Sequence, residues 1–197
     1  MAIILNDAFN DNLPSNVTGN GVARPKHWLV AQTHIHHEKK VSLNLTKMGI
    51  ENFLPIQKQY RQWSDRRKLV EQVVIPMKIF VHVDAKQRAE VLSLYSVSRY
   101  MVLYGESTPA VVPDNQMDSF KLMMEQSEVP VEMSDAPMKV GEAVRVIKGA
   151  LKGFEGELVI VNGKTKVAVR LPLLGCAGVE MAVDFVERIS PKNISSN

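Results

Sequence analysis

The chain has 197 residues, with 24 Lys and Arg against 21 Asp and Glu, a formal net charge of +3 and a hydrophobic fraction of 45%. This is ordinary globular composition, sufficient for one domain or two small ones, and it excludes disordered and fibrous classes. No apolar run nears the ~18–20 residues of a spanning helix, MAIILNDAFN has no basic segment before its short apolar stretch, and Cys176 is the only cysteine; the sequence therefore predicts no membrane span, no secretory signal, no disulfide and a reducing cytoplasmic setting.

Residues 1–24 are rich in Asn, Asp, Gly, Ser and Pro without a sustained period and read as a tail. HWLVAQ, residues 27–32, has strand length. Val41, Leu45 and Met48 recur at helical spacing within 36–48, with Leu43 off the stripe and Gly49 as a left-handed stop. Asn52 to Ile56 reads as a strand, and the basic stretch 58–68 as the end of a long hairpin turning at Ser64-Asp65. Residues 72–83, QVVIPMKIFVHV, form the strongest β-run, in which Pro76 marks an edge position or a bulge. Residues 85–95 read as a helix, 100–104 as a strand, and Asp114 as the N-cap of a helix through Met124. The first block is thus β-α-β-β-α-β-α, an α+β domain with helices against an antiparallel sheet over residues 25–126.

Residues 127–139 hold Pro130, Pro137 and several acids and read as a linker. Short β-runs follow at 143–147, 157–161, 167–171 and 179–183, with Asn162-Gly163 suited to a type I′ turn. They predict a small antiparallel barrel over 140–191, before a short tail at 192–197. Charge follows the same division: +7 over residues 24–112, −5 over 113–135 and +3 over 136–197. A basic face is the footprint of a polyanion partner, although a solvated mixed-charge surface has the same composition.

Gly141 to Val159, GEAVRVIKGALKGFEGELV, is strand, glycine-punctuated turn and strand. It resembles a KOW motif of small SH3-like barrels. HWLVAQT, Glu38-Lys39-Lys40, Phe53-Leu54-Pro55 and IPMKIFV resemble, in order, the N-terminal (NGN) domain of the NusG family, and VEMAVDFVERI resembles the family's last strand. The resemblance spans about residues 26–190. Two segments depart from the family pattern: Ile75-Pro76-Met77-Lys78 stands where Phe-Pro-Gly-Tyr is usual, and Leu173-Leu174-Gly175-Cys176 where Ile-Phe-Gly-Arg is usual. The wording of RQWSDRRKLVEQVVIPMKIFVHV and YMVLYGESTPAVVPDNQM looks more like the specialised UpxY paralogues, related to RfaH, that regulate capsular polysaccharide operons.

The resemblance implies a non-enzymatic factor that binds the clamp helices of the largest RNA polymerase subunit and promotes antitermination. Ile75, Lys78 and Phe80 match the polymerase-binding strand. Ile75 and Phe80 lie five positions apart, so a regular strand would point them to opposite faces unless Pro76 forms a bulge. His34, Lys40 and Asn44 match the surface with which RfaH reads non-template DNA; nascent RNA is the other possible strand. The loop with Lys58, Arg61, Arg66, Arg67 and Lys68 around Trp63 is a second nucleic-acid candidate. Leu151, Phe154, Leu173 and Leu174 match the barrel surface that meets a small-subunit ribosomal protein or Rho, with Phe154 as the exposed anchor.

No cofactor is expected. His34, His36 and His37 lack the spacing that would face one metal ion, and Cys176 reads as a small buried hydrophobe. No GxSxG, Walker loop, HExxH or CxxC motif occurs. A monomer is expected. A general NusG coupling to Rho or the ribosome, and a KOW-containing ribosomal or RNA-binding protein, are the alternative functions.

Overall fold

A computed structural model describes residues 24–63, 66–134, 141–161, 163–171 and 173–189, apart from the Arg61 side chain. The expected turn at Ser64-Asp65, residue Asn162, both tails except Arg24, and the second half of the expected linker lie outside these residues. Among the described residues no helix is long and apolar enough to cross a membrane.

The N-terminal part contains β1 (His27–Thr33), α1 (Glu38–Lys47), β2 (Glu51–Phe53), β3 (Ile56–Gln62), β4 (Arg67–Val73), β5 (Lys78–Val83), α2 (Ala85–Leu92), β6 (Val97–Tyr100), β7 (Val111–Val112) and α3 (Asp114–Gln126). β2, β5, β1 and β6 form one antiparallel sheet in that order, β7 also pairs with β1, and β3 and β4 form a separate ribbon. β1 is central and buried on both faces, which explains its unbroken apolar run.

The two-residue period of β1 and β5 assigns the layers. Leu29, Ala31, Ile79, Val81 and Val83 share one core with Val41 and Leu45 of α1 and Val91 of α2. Trp28, Val30 and Phe80 share the opposite core with Met117, Phe120 and Met123 of α3. The sheet is therefore sandwiched between α1 and α2 on one side and α3 on the other. Phe53, Phe80 and Phe120 meet at 5.6–6.3 Å between ring centroids. At the rim, Trp28 stacks on His82 at 4.9 Å, Lys121 of α3 lies 4.1 Å from the Trp28 ring centre, and Glu51 accepts from both His82 and Lys121.

The C-terminal part contains β8 (Glu132–Ser134), β9 (Glu142–Val146), β10 (Glu155–Val161), β11 (Lys164–Leu171), β12 (Gly175–Glu180), a short 3-10 turn (Val183–Phe185) and β13 (Val186–Arg188). Their order is β13-β9-β10-β11-β12-β8. This is a six-stranded antiparallel sheet with two ends rather than the expected closed barrel, since no pairing among the described residues joins β13 to β8.

Several element boundaries differ from the sequence reading. The run 72–83 is two strands, because Val74 to Met77 turns and Met77 takes φ +60°. Asn52 to Ile56 breaks at Leu54-Pro55, so its two ends join different sheets. The expected strand 100–104 lies earlier, at β6, and Val102 makes only an isolated bridge to Pro109. α2 stops at Leu92. Pro113 rather than Asp114 caps α3, consistent with Asp114 lying in the first turn beside the positive helix end.

The expected linker is partly structured. β8 pairs with β12, and Val131 is buried. The Gln57 amide brackets Val131, accepting from its N–H at 2.9 Å and donating to its carbonyl at 3.2 Å. Lys166, with a buried side chain, pairs with Glu132. α3 packs on β11, and the apolar core under α3 continues without a break into Val144, Val167, Val169 and Leu171.

Two expectations follow. Because the core is continuous, Phe120→Ala should destabilise by about 3–5 kcal/mol, and in urea Trp28 fluorescence and amide signals from β10 and β11 should be lost in one transition. Hydrogen bonding to Lys166 and its charge hold the Glu132 carboxyl below the usual carboxylate range. Such a group stabilises above its unfolded pKa and loses that contribution as pH falls through the lower native value. Glu132→Gln should therefore lower the melting temperature at neutral pH and flatten its decline between about pH 5 and pH 2.

Candidate functional site

Three surfaces gather the residues singled out by sequence. The first lies at the start of β5. The turn before it is held by two backbone hydrogen bonds, from Val74 N–H to Pro55 O at 2.8 Å and from Thr33 N–H to Met77 O at 2.9 Å, and by a side-chain acceptor, Glu38 Oε1, which takes the Met77 N–H at 2.8 Å. Glu38 is only 6% exposed, and its side-chain oxygen satisfies this strained turn from the first turn of α1. Met77 thus keeps, with a side chain, the left-handed backbone that a glycine adopts without strain.

The turn resolves the five-residue spacing of Ile75 and Phe80. The break before β5 lets both enter one cluster, and that cluster is the core beneath α3. Ile75 and Phe80 are buried, Phe80 completely, because Phe53 and Phe120 cover its ring. Of the three expected polymerase-contacting residues, only Lys78 retains surface, and it is half-buried.

The second surface joins the β1–α1 turn to the α2–β6 turn. His34 N–H donates to Ser96 O at 2.9 Å, and His37 Nδ1 lies 2.8 Å from Ser96 Oγ. The His34 ring meets His37 edge-on at 6.0 Å and Tyr95 at 5.6 Å with an 84° interplanar angle. Lys40 is exposed and Asn44 half-buried; their spacing from His37 places all three on one face of α1. Tyr95 and Ser96 had no signal in sequence, because residues about sixty positions away carry no local period linking them to His34. Among the described residues no group of three or more His, Cys, Asp or Glu side chains could hold a metal ion.

The third surface is the β3–β4 ribbon. Tyr60 stands opposite Leu69, both exposed, and Lys68 lies 5.9 Å from the Trp63 ring centre. Arg66 and Arg67 are exposed at its end, and Arg61 is in register with Lys68. Lys39 of α1 donates to Glu71 at 2.6 Å, tying the ribbon to the helix that carries Lys40. That contact holds the exposed Glu71 carboxyl below its ordinary range.

In the C-terminal sheet the expected partner-binding residues turn inward. Leu151, Phe154 and Leu174 are buried in the main core, and Leu173 alone is half-exposed, at φ +66°. Phe154, expected as the exposed anchor, instead packs over Gly156, where an added Cβ would come within 3.1 Å of its ring and 2.9 Å of Ala168 O. Outside this core, Arg170 grips Glu157 at 2.8 Å, and Glu157 also accepts from Gly141 N–H at 3.0 Å. Cys176 is buried, and burial raises its thiol pKa, as expected of an inert side chain.

Residues 26–121 match the family model described as transcription termination factor nusG. The match covers 96 of the 197 residues, and over that span the N-terminal domain is similar to the NusG family. Among solved structures, the chain is similar to that described as "Domain interaction in Thermotoga maritima NusG", at 21% identity over 84% of this chain and 98% of that one, with a TM-score of 0.46. It is also similar to a chain of "Crystal Structure of MjSpt4:Spt5 complex conformation B", at 13% identity over 83% and 97% of the two chains, with a TM-score of 0.26. No curated protein matches the chain.

The strained turn makes a direct test of this geometry. Met77→Gly should relieve the left-handed strain and raise stability by about 1 kcal/mol. Glu38→Ala should leave the Met77 N–H unpaired and cost about 1–3 kcal/mol. Chemical denaturation of both variants checks the opposite signs.

Proposed function

We propose that the chain is a transcription elongation and antitermination factor of the specialised NusG type, binding RNA polymerase through residues 25–126 and serving selected long operons. Capsular polysaccharide operons are the favoured class, on the resemblance to the UpxY paralogues. The match of residues 26–121 to the NusG family model carries the reading. The C-terminal sheet, whose β9 and β10 carry the KOW-like motif, is read as the family's second domain, joined to the first through the segment that precedes β8.

The contact to the clamp helices of the largest polymerase subunit is assigned to the β5 surface. Lys78 contributes an aliphatic stem and an ammonium group, while Ile75 and Phe80 set the strand's position from beneath. His34, Lys40 and Asn44 are assigned to the exposed non-template strand or the nascent RNA, and Arg61, Arg66 and Arg67 of the ribbon to phosphates. Leu173 offers the apolar surface for a small-subunit ribosomal protein or Rho, should the C-terminal sheet recruit either.

Polymerase occupancy mapped across the host genome with and without the protein, alongside cross-linking of the tagged chain, tests the reading. Enrichment at one or a few operons, with downstream transcription lost on deletion, is the expected result. Occupancy following polymerase on nearly all genes would establish a general NusG instead. Co-sedimentation with ribosomes and absence from polymerase would leave a KOW-type ribosomal protein.

A further inference from the structure

Lys166 carries an ammonium group on β11, yet its side chain is only 8% exposed. Burying such a charge is costly unless a carboxylate meets it. Its register partner on β12, Glu180, is held by Lys164 at 2.7 Å. Lys166 instead reaches over β12 to Glu132 of β8. The register shows the path: Glu132 lies opposite Gly178, and Gly178 lies opposite Ala168, which follows Lys166 on the same face of β11. A Cβ at Gly178 would sit 3.5 Å from both the Cβ and the Cδ of Lys166, so any longer side chain there would lie in the path of the lysine stem.

The strand that supplies Glu132 has little structure of its own. β8 is three residues long and, among the described residues, pairs with β12 alone, at Cys176, Ala177 and Gly178. Pro130 before it is exposed and has no N–H to give. Val131 is inserted into the core, and Gln57 of β3 brackets its backbone with both ends of one amide, at 2.9 and 3.2 Å. Residues 131–134 are thus held by groups on three other strands: Gln57 on β3, Lys166 on β11 and the edge of β12. A strand this short is specified by those partners and not by its own pairing. A segment with one buried apolar side chain and a few polar contacts opens at a free energy well below that of global unfolding.

We propose that residues 131–134 form a clasp that opens and closes as a unit while the rest of the fold stays intact. Closed, it covers the β12 edge, pairs Lys166 with Glu132 and fastens β3 to the C-terminal sheet. Open, it bares the backbone groups of Cys176 to Gly178 on that edge, releases Gln57 and returns the Lys166 ammonium to water. Unpaired strand edges accept other extended segments, so access to this edge is controlled from within the chain. The clasp depends on Gln57 and Glu132, which take no part in the polymerase or nucleic-acid contacts assigned above, and it is tested separately from them.

Cys176 reports on the clasp, because it is the only cysteine of the chain, is 4% exposed and lies opposite Ser134. Labelling of the full chain with N-ethylmaleimide over a series of low urea concentrations, followed by mass spectrometry, tests the proposal. The wild-type rate should be nearly independent of urea, as a local opening exposes little surface, whereas amide exchange in β1 and β5 should rise steeply with urea. Glu132→Gln and Gln57→Ala should each raise the urea-independent rate about tenfold. Melting curves check that both variants fold.

Labelling with the same urea dependence as exchange in β1 and β5 would mean that the edge opens only on global unfolding, and would overturn the clasp. Wild-type labelling as fast as that of the urea-unfolded chain would mean that no closed state protects the edge, and would overturn it equally. Urea-independent labelling that neither variant accelerates would place the opening in another segment. Acceleration by only one variant would also overturn the proposal, since a clasp that opens in one piece loses both contacts together.

Discussion

The packing of Phe80 between Phe53 and Phe120 is the contact on which the rest depends. It joins the central sheet to α3, and α3 in turn packs on β11 of the C-terminal sheet. Removing this apolar surface from water supplies the stabilisation, and the off-parallel rings add the geometric preference of aromatic pairs. The polar layer at its rim, where Lys121 sits between Trp28 and Glu51, fixes the helix without adding a buried charge. The result is a continuous interior in a chain whose composition suggested two independent bodies.

That interior limits what β5 can display. A strand buried on both faces cannot present its large apolar residues to a partner, whichever family motif they match. Ile75 and Phe80 are therefore architectural, and what β5 leaves at the surface is the half-buried Lys78 and the turn in front of it. The turn itself is maintained at a cost: Met77 is held in a left-handed conformation, and a buried Glu38 side-chain oxygen from α1 accepts its amide hydrogen. Strand, turn and helix thus form one unit, and the helix face beyond Glu38 carries Lys40 and Asn44 outward.

The C-terminal sheet follows the same logic. Phe154 lies against Gly156 and the β10–β11 ladder, so the side chain that looks most like an anchor in sequence is the one that closes the core. Strand β8 is drawn from the acidic connection by two complementary contacts, the Glu132–Lys166 pair and the Gln57 amide on Val131. A segment with prolines and several acids had no periodicity to announce this, because a three-residue strand is specified by its partners rather than by its own pattern.

The sequence alone determined the order of elements, the α+β character of the first part and the all-β character of the second. Those follow from periods of two and 3.6 and from glycine and proline punctuation, which act within a few residues. It also located the basic ribbon and the histidine turn, since charge and residue type are visible without a fold. Tertiary structure decided which of those residues face solvent. It turned Ile75, Phe80, Leu151, Phe154 and Leu174 inward and split the 72–83 run at Met77. It also brought Tyr95 to His34 across about sixty residues of chain. Such outcomes depend on packing between segments distant in sequence, and local propensity carries no record of them.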